Sequence, residues 1–477
     1  TNPLCKLCKL NKMDILLINP SQKNVYGIGV KPPYPPLGLL YLGAALLKNG
    51  CSVEIIDFDI DIKRKDNFFD YVKENHPGVI GFTAVTPCFN NALSLAGAIK
   101  KIYSPFIIFG GPHTTALPEE VIKEETIDGV VIGEGEETVA EFMNYFKQGK
   151  VVAVDGIIIK DKGRFLRGRK RDFIENLDEL PFPAWSLLKH PMEYSPPDAR
   201  DMPVATVMSS RGCPYRCTFC QAPRIWGRKI RRRSVDNVVA EIKFLKSRYG
   251  IKEIHIADDD FTHNKEWTLD FLRKVEKERV GTRFYFMNGL RIDNVDMDIL
   301  LGMKRAGFVS IGFGVESGSQ RILNSVKKGL KIAGIEKNFK MVKGLGFKTW
   351  AFFILGFLGE TPSSLKETVD FSISLDPDFA KYFYLVPFPG TDVYKELLTK
   401  NLLLDRNFSN YGLYMEPVYE LPGLSRYEIK KALTRAYIKF YLRPSKIFKI
   451  LFRIRSLTEL KLNMRAVLFL LRKIITV

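Results

Sequence analysis

The fold turns on Ser209-Ser210-Arg211-Gly212-Cys213-Pro214-Tyr215-Arg216-Cys217-Thr218-Phe219-Cys220. The stretch follows a β-branched run, Val204–Met208, and sets three thiols at spacings of four and three on one loop. Zinc ribbons need four ligands and supply them as two separated pairs, so three clustered cysteines leave one coordination position open. Soft thiolates select iron-sulfur clusters, and a cubane held by three cysteines keeps one iron free for a small-molecule chelator. At the mouth of a barrel, a free iron is a catalytic device.

Downstream of the loop, short apolar runs alternate with amphipathic segments. The strands read as Val204–Met208, Ile254–Ala257, Arg283–Met287, Val309–Gly314, Thr349–Leu355 and Tyr382–Val386. Six βα units predict a partial (β/α)6 parallel barrel over 201–395, with its chemistry at the C-terminal strand ends. Upstream, residues 13–147 show the same alternation: strands at Asp14–Ile18, Val53–Asp57, Val79–Thr83, Phe106–Phe109 and Gly129–Ile132, with helices near 37–48, 89–101 and 117–124. This predicts a Rossmann-like, doubly wound parallel sheet. Residues 148–200 read as a linker carrying a hairpin (Val151–Lys160, Arg164–Arg171), and 396–477 as a helical, basic C-terminal extension. The class is α/β.

The length of 477 residues and 46% hydrophobic content suit two to four globular domains and rule out a disordered chain. No apolar run approaches the ~20 residues of a membrane span; Ala466 to Leu471 is cut off by Arg472 and Lys473. Seven cysteines are sparse and odd in number, which argues against a secreted disulfide scaffold and for the reducing cytoplasm. The net charge of +19 is uneven: from Arg426 to Val477 there are 14 Lys and Arg against Glu428 and Glu459, which is +12. Basic residues interleaved there with Tyr437, Phe440, Tyr441, Ile447, Phe448, Ile450, Leu451 and Phe452 fit a helix packed on the body or one lying on an anionic membrane surface. Leu468 to Leu471 add to the apolar side, so peripheral contact at the inner face of the membrane is the expectation.

The cysteine loop resembles the cluster loop of the radical S-adenosylmethionine (SAM) superfamily, including Phe219 before the last cysteine. The resemblance implies that Cys213, Cys217 and Cys220 ligate a 4Fe-4S cluster and that its free iron chelates SAM. Further landmarks fall in order. Asp258-Asp259-Asp260 matches the position of groups that hold the SAM amino group. Glu316, followed by Ser317, looks like the ribose-binding carboxylate, and Gly356 belongs to a glycine-rich turn similar to the adenine-contacting one. The first domain, with Pro35-Pro36-Leu37-Gly38-Leu39 opening its first helix, resembles the cobalamin-binding domain of cobalamin-dependent radical SAM enzymes. Gly38, Thr83, Thr86, Gly110, Gly111, His113, Gly133 and Glu134 are then its candidate cobalamin contacts. The usual Asp-x-His-x-x-Gly loop is missing, since no histidine lies between Asn19 and Gly38. Cobalamin without a histidine on cobalt is therefore expected, with His113 a tail or outer contact.

The resemblance implies a 5′-deoxyadenosyl radical that abstracts hydrogen from an unactivated carbon, followed by methyl transfer from cobalamin. The expected activity is C-methylation of a lipophilic or tetrapyrrole-like small molecule. Cyclisation or rearrangement without methyl transfer is the alternative, and an iron-sulfur RNA-binding protein a remoter one, because no nucleic-acid module is present. An electron donor such as flavodoxin or ferredoxin is an implied partner. Cys5 and Cys8 form an isolated pair, and Cys51 and Cys88 read as small core residues. The basic run Arg224 to Arg233 reads equally as a clamp for an anionic substrate or as a solvated face.

Overall fold

Runs such as Ile15-Leu16-Leu17-Ile18 and Ile107-Ile108-Phe109 are apolar on consecutive residues, the signature of strands covered on both faces. In the computed structural model, which describes residues 12–26, 31–61, 65–196, 199–413 and 415–453, they build the first sheet. Strands β1 (Met13–Asn19), β2 (Val53–Asp57), β3 (Pro77–Thr83), β4 (Phe106–Gly110) and β5 (Gly129–Val131) are parallel in the order β2-β1-β3-β4-β5. Ile15 and Leu17 share one core with Leu39 and Leu40 of helix α1 (Leu37–Lys48); Leu16 and Ile18 share the other with Phe89 and Ala92 of α2 (Phe89–Lys100). Helix α3 (Glu136–Phe146) joins α1 on its face through Val139 and Phe142. This doubly wound order puts the ligand crevice outside the carboxyl ends of the strands.

The hairpin assigned to the linker belongs to this sheet. Strand β6 (Ile157–Asp161) pairs antiparallel with β5, and β7 (Arg164–Arg167) with β6. Ile157, Ile158 and Ile159 are buried and cover the edge that β5 would otherwise expose. The sheet therefore has seven strands and runs past residue 147, to Arg167.

Strand β8 (Val204–Val207) and the two-residue β9 (Ser210–Arg211) flank the start of the cysteine loop, and β10 (Arg231–Arg232) closes it. Strands β11 (Glu253–Ile256), β12 (Arg283–Phe286), β13 (Ser310–Glu316), β14 (Lys348–Leu355) and β15 (Phe379–Tyr384) follow. Two parallel sheets, β8-β11-β12 and β13-β14-β15, are joined by the bridges Phe284↔Phe308 and Leu290↔Phe313. The six long strands thus lie in chain order. Helices α4 (Val235–Tyr249), α5 (Lys265–Lys277), α6 (Met297–Ala306), α7 (Ile332–Gly344) and α8 (Pro362–Leu375) alternate with them. Period two sorts each strand: Ala351, Phe353 and Leu355 enter the core, whereas Trp350, Phe352 and Ile354 are half-buried on the opposite, concave face. Thr206, His255 and Tyr285 are in register on the corresponding face of β8, β11 and β12.

After α9 (Asp392–Thr399) the C-terminal region, expected to be mostly helical from 396 onward, begins with a non-helical stretch. Residues 402–424 cross as an irregular strap, bridged at Leu403↔Tyr419 and Leu421↔Leu424. It reaches the first domain, where Asn90 donates to Asn407 at 2.8 Å. Helix α10 (Arg426–Tyr441), started by a Ser425/Glu428 capping box, then turns its apolar stripe onto the barrel. Ile429, Leu433, Tyr437 and Phe440 are buried, and Tyr437 and Tyr441 donate their hydroxyls to the Tyr382 and Ala380 carbonyls. The barrel covers this stripe, which leaves membrane contact through it without support. Several charges of the tail are spent locally: Arg443 donates to Ile373 O at 3.1 Å, Lys446 to Pro377 O, and Lys449 pairs with Asp376. These cations meet the negative end of α8. Helix α11 (Pro444–Arg453) leaves Ile447 and Phe448 exposed. Cys5, Cys8, Leu468 to Leu471 and the rest of the tail lie outside the described residues. No described helix is long and apolar enough to cross a membrane.

Phe440→Ala should cost about 3–5 kcal/mol, the range for emptying a buried aromatic site. Phe448→Ala, at 60% exposure, should stay within about 0.5 kcal/mol. Guanidinium unfolding of both variants compares the two; equal effects would show that α10 does not dock as described.

Candidate active site at the facing strand ends

The cysteine loop is held at both ends. Ser210 and Arg211 pair antiparallel with Arg232 and Arg231, so a clasp closes the segment from 212 to 230. Gly212 has φ +106°, and a Cβ there would stand 2.3 Å from the Lys229 carbonyl oxygen, so only glycine fits the clasp. Inside it, Cys213 N–H donates to Gly227 O, Thr218 N–H to Val326 O and Cys220 N–H to Cys217 O. Phe219 packs on Phe357, tying the loop to the turn after β14.

Burial pushes the Cys213 thiol up to about 11 and the Cys220 thiol up to about 12, with Asp259 nearby adding to both. Burial also raises Cys217. Three thiolates crowded beside a carboxylate are unfavourable until a cation joins them, which is the chemistry a metal cluster supplies. Among the described residues no three His, Cys, Asp or Glu side chains form a ready-made single-ion site.

The three aspartates after β11 are not equivalent. Asp258 accepts from Ser209 N–H at 2.7 Å and from the Ser209 and Ser210 hydroxyls. Asp260 accepts from Asn294 Nδ2 at 3.1 Å. Both carboxylates are committed to protein, which leaves Asp259. Burial beside Asp258 and Asp260 raises Asp259 to about 7; of the three it is the carboxylate with no hydrogen-bond partner among the described residues. Glu316 sits at φ +68°, a strained conformation for a residue other than glycine. It pairs with the buried Lys328 at 2.7 Å. A Cβ on Gly314 would come within 2.5 Å of the Glu316 carboxylate, so that glycine makes room for the pair. Two sequence expectations are corrected here. The Ser317 hydroxyl is tied to Thr368 at 3.0 Å and accepts from Ser319 N–H, so it is structural. Gly356 gives its N–H to Glu360 and its carbonyl to Tyr419 Oη at 2.7 Å, so neither group is left for adenine.

Glu134 is corrected as well. Instead of facing a corrin it lies in a buried ion cluster between the two halves of the chain. Arg211 bonds Glu134 at 2.8 Å and Glu136 at 2.6 Å; Arg231 bonds Glu134 at 2.8 Å and the Ile174 carbonyl at 2.7 Å. Ile174 N–H completes the shell at 2.7 Å. Arg211 also lies over the rings of Tyr41 and Trp226. The loop after β5 is thus fastened to the strand two residues before Cys213. The basic run is neither a clamp nor a solvated face throughout: Arg231 and Arg233 are buried in ion pairs, the latter with Glu241, while Arg224 and Lys229 hold exposed partners.

At the carboxyl edge of the first sheet, Thr83 and Gly110 are register partners, and Gly111 follows at φ +99°. Gly38 and Gly133 face open space, with nothing within 4 Å of a Cβ. An edge of glycines and threonines fits the flat face of a large ligand. His113 does not fit a cobalt ligand. Its ring is boxed by Phe89 and Phe408 at centroid distances of 4.4 and 4.6 Å, and its Nδ1 meets Thr86 Oγ1 at 3.2 Å. Burial lowers it to about 4, so it is a neutral core histidine.

Arg211, Lys328 and Asn294 escaped the sequence reading. Arg211 had a signal, its place two residues from the first cysteine; the other two act on partners far off in sequence. Half-buried Tyr34, from the loop before α1, also reaches the barrel and meets His255 Nδ1 at 3.1 Å.

Two family models match the chain: a B12 binding domain over residues 23–143 and the radical SAM superfamily over 207–372. An uncharacterized methyltransferase of Pyrococcus horikoshii, PH0819, is 34% identical over 92% of this chain and 95% of its own length. The anaerobic magnesium-protoporphyrin IX monomethyl ester cyclase of Rubrivivax gelatinosus is 28% identical over 91% of this chain and 78% of its own. The fold matches that of OxsB, a cobalamin-dependent SAM radical enzyme solved with aqua-cobalamin and SAM, with a TM-score of 0.74 and 19% identity over 97% of this chain and 72% of that one.

Replacing Cys213, Cys217 or Cys220 by Ala should drop reconstituted iron well below the roughly four per chain of one cluster; full iron in Cys213→Ala would refute the ligand set. His113 gives a pH signature. Unfolded, it titrates near 6.5; folded, near 4, so the unfolded chain binds the extra proton between those values. Stability should fall as pH drops through this window, by about 3 kcal/mol. Guanidinium midpoints across the window should show the slope in wild type and a flatter one in His113→Phe.

Proposed function

The chain belongs to the cobalamin-binding radical SAM superfamily, and from that premise we propose that this enzyme methylates an unactivated carbon of a lipophilic or tetrapyrrole-like small molecule. The observation that carries the reading is the buried Arg211/Arg231–Glu134/Glu136 cluster. It fastens the ligand edge of the B12-type domain to the strand that enters the cysteine loop, so both cofactors would address one chamber.

With the cofactors bound, the cluster and SAM supply a 5′-deoxyadenosyl radical and cobalamin supplies a transferable methyl group. The chain's residues do the rest. Cys213, Cys217 and Cys220 would hold three irons and leave the fourth for SAM. Asp259 faces this site with a carboxylate for the SAM ammonium, and Glu316, oriented by Lys328, offers acceptors for ribose hydroxyls. Thr83, Gly110, Gly111, Gly38 and Gly133 would pass along the corrin. Cobalt would carry no histidine nitrogen, because His113 is walled in by Phe89 and Phe408. On β14, Trp350, Phe352 and Ile354 are half-buried on the face opposite the core residues, and Lys381 lies over the Trp350 and Phe352 rings, a surface suited to a planar substrate that also carries a negative group.

Similarity to the magnesium-protoporphyrin cyclase favours a second reading, ring formation without methyl transfer. Product accounting separates them. With candidate tetrapyrrole or lipid substrates and a reductant, a methylase should form 5′-deoxyadenosine and S-adenosylhomocysteine in about equal amounts, since one SAM makes the radical and another donates methyl. Deoxyadenosine alone would establish the cyclase reading. Neither product would overturn both.

A further inference from the structure

Between the Pro214–Arg216 turn of the cysteine loop and the segment from Asn324 to Gly329 lies an open cleft of about 560 Å³. Arg216, Arg291, Lys327 and Lys328 contribute to its wall, and no acid and no cysteine does. The surrounding sequence is strongly cationic. Ser209 to Arg233 holds eight basic residues and no acid; Arg321 to Lys343 holds seven against Glu336 alone. Some of these charges serve the interior: Lys328 pairs with Glu316, and Arg291 pairs with Asp293. Arg216 and Lys327 have no such duty. Both are exposed and neither has an ion-pair partner among the described residues.

The cleft is also in electrical contact with the cluster site. Cys217 Sγ lies 3.9 Å from the Lys327 carbonyl oxygen, and the next residue, Thr218, donates its N–H to Val326 O at 3.1 Å. The wall of the cleft is therefore backbone that touches a cluster ligand. Lys328, which lines the cleft, is also the partner of Glu316, so the cleft adjoins the candidate SAM site.

We propose that this cleft is the docking surface for an acidic one-electron carrier protein. The inference rests on the radical SAM reading, which requires one electron to reach the cluster for each SAM cleaved. Exposed, unpaired cations around an open concavity steer an anionic protein and raise its association rate. A nucleic acid fits less well: Tyr215, the aromatic in the wall, has its ring covered by the Arg291 guanidinium at 3.8 Å, which leaves no platform for stacked bases. For a flavoprotein carrier the step balances without a proton. The anionic flavin hydroquinone loses one electron and becomes the neutral semiquinone, and the cluster held by Cys213, Cys217 and Cys220 gains that electron.

The test uses the reconstituted full chain, its Arg216→Glu/Lys327→Glu double variant, and Arg228→Glu, an exposed cation outside the cleft, as control. Flavodoxin is the probe. Its binding is measured by surface plasmon resonance at low and high salt, and deoxyadenosine formation is driven either by limiting reduced flavodoxin or by reduced methyl viologen, a small cation. Flavodoxin affinity should fall roughly tenfold in the double variant, with a flatter salt dependence, and flavodoxin-driven turnover should fall in parallel. Iron content, viologen-driven turnover and the Arg228→Glu control should match wild type. Unchanged flavodoxin binding in the double variant would overturn the proposal. So would equal losses with both reductants, which would mark a structural defect, or displacement of flavodoxin by an oligonucleotide at equal affinity. If viologen drives no SAM cleavage in wild type, the radical SAM reading fails, and the binding arm still decides what the cleft holds.

Discussion

Two guanidinium groups and two carboxylates, all nearly inaccessible to water, sit where the two halves of the chain meet. Arg211, Arg231, Glu134 and Glu136 satisfy one another and recruit the Ile174 N–H and carbonyl, so almost every charge in the cluster has a hydrogen-bond partner. Moving such ions out of water costs several kcal/mol each, and their mutual attraction roughly offsets that when the geometry is complete. The net contribution to stability is therefore small. The contribution to specificity is large, because a displacement that separates one arginine from its carboxylate strands a buried charge, at about 3–5 kcal/mol. The cluster acts as a register pin: it permits one relative placement of the β5 loop and the β9 strand, and the facing cofactor edges follow.

The same economy governs the polar groups of the chamber. Asp258 and Asp260 are used to shape the loop that presents Asp259, and Lys328 is used to orient Glu316. If Asp259 and Glu316 bind a ligand as proposed, holding them in place beforehand lowers the ordering cost of binding, and the supporting hydrogen bonds bear that cost in the folded state. The left-handed backbone of Glu316 fits this account. A strained conformation persists where its surroundings over-determine it, and Gly314 and Lys328 do so here.

How much of this could be read in advance depended on distance along the chain. The cysteine triad stands out in the sequence because its three thiols fall within eight residues on one loop, which the structure closes with the β9–β10 clasp. The strands were legible because their apolar runs are local, and β1 through β5 and the six long barrel strands fall where the pattern put them, within a few residues. What failed was every assignment whose deciding partner is remote. Glu134 looked like a ligand contact at a strand end, and its owner, Arg211, is 77 residues away. The three aspartates could not be ranked without Ser209, Ser210 and Asn294. Gly356 looked open until Tyr419 closed it. The hairpin at 157–167 read as linker because nothing in its own sequence says that β5 needs an edge partner.

The tail shows why net charge is a poor guide until each charge has an address. A stripe of Tyr437, Phe440 and Tyr441 with interleaved lysines has the composition of an interfacial helix, and composition alone cannot say whether lipid or protein covers the stripe. Here β15 offers backbone groups at Ala380 and Tyr382 that the tyrosine hydroxyls can reach, and α8 ends in carbonyls and Asp376 that attract Arg443, Lys446 and Lys449. The apolar stripe of α10 and the cations Arg443, Lys446 and Lys449 are thus taken up by the barrel, while Ile447 and Phe448 stay exposed. Among the described residues, Arg216 and Lys327 are exposed cations with no ion-pair partner at the rim of the cleft beside the cluster loop.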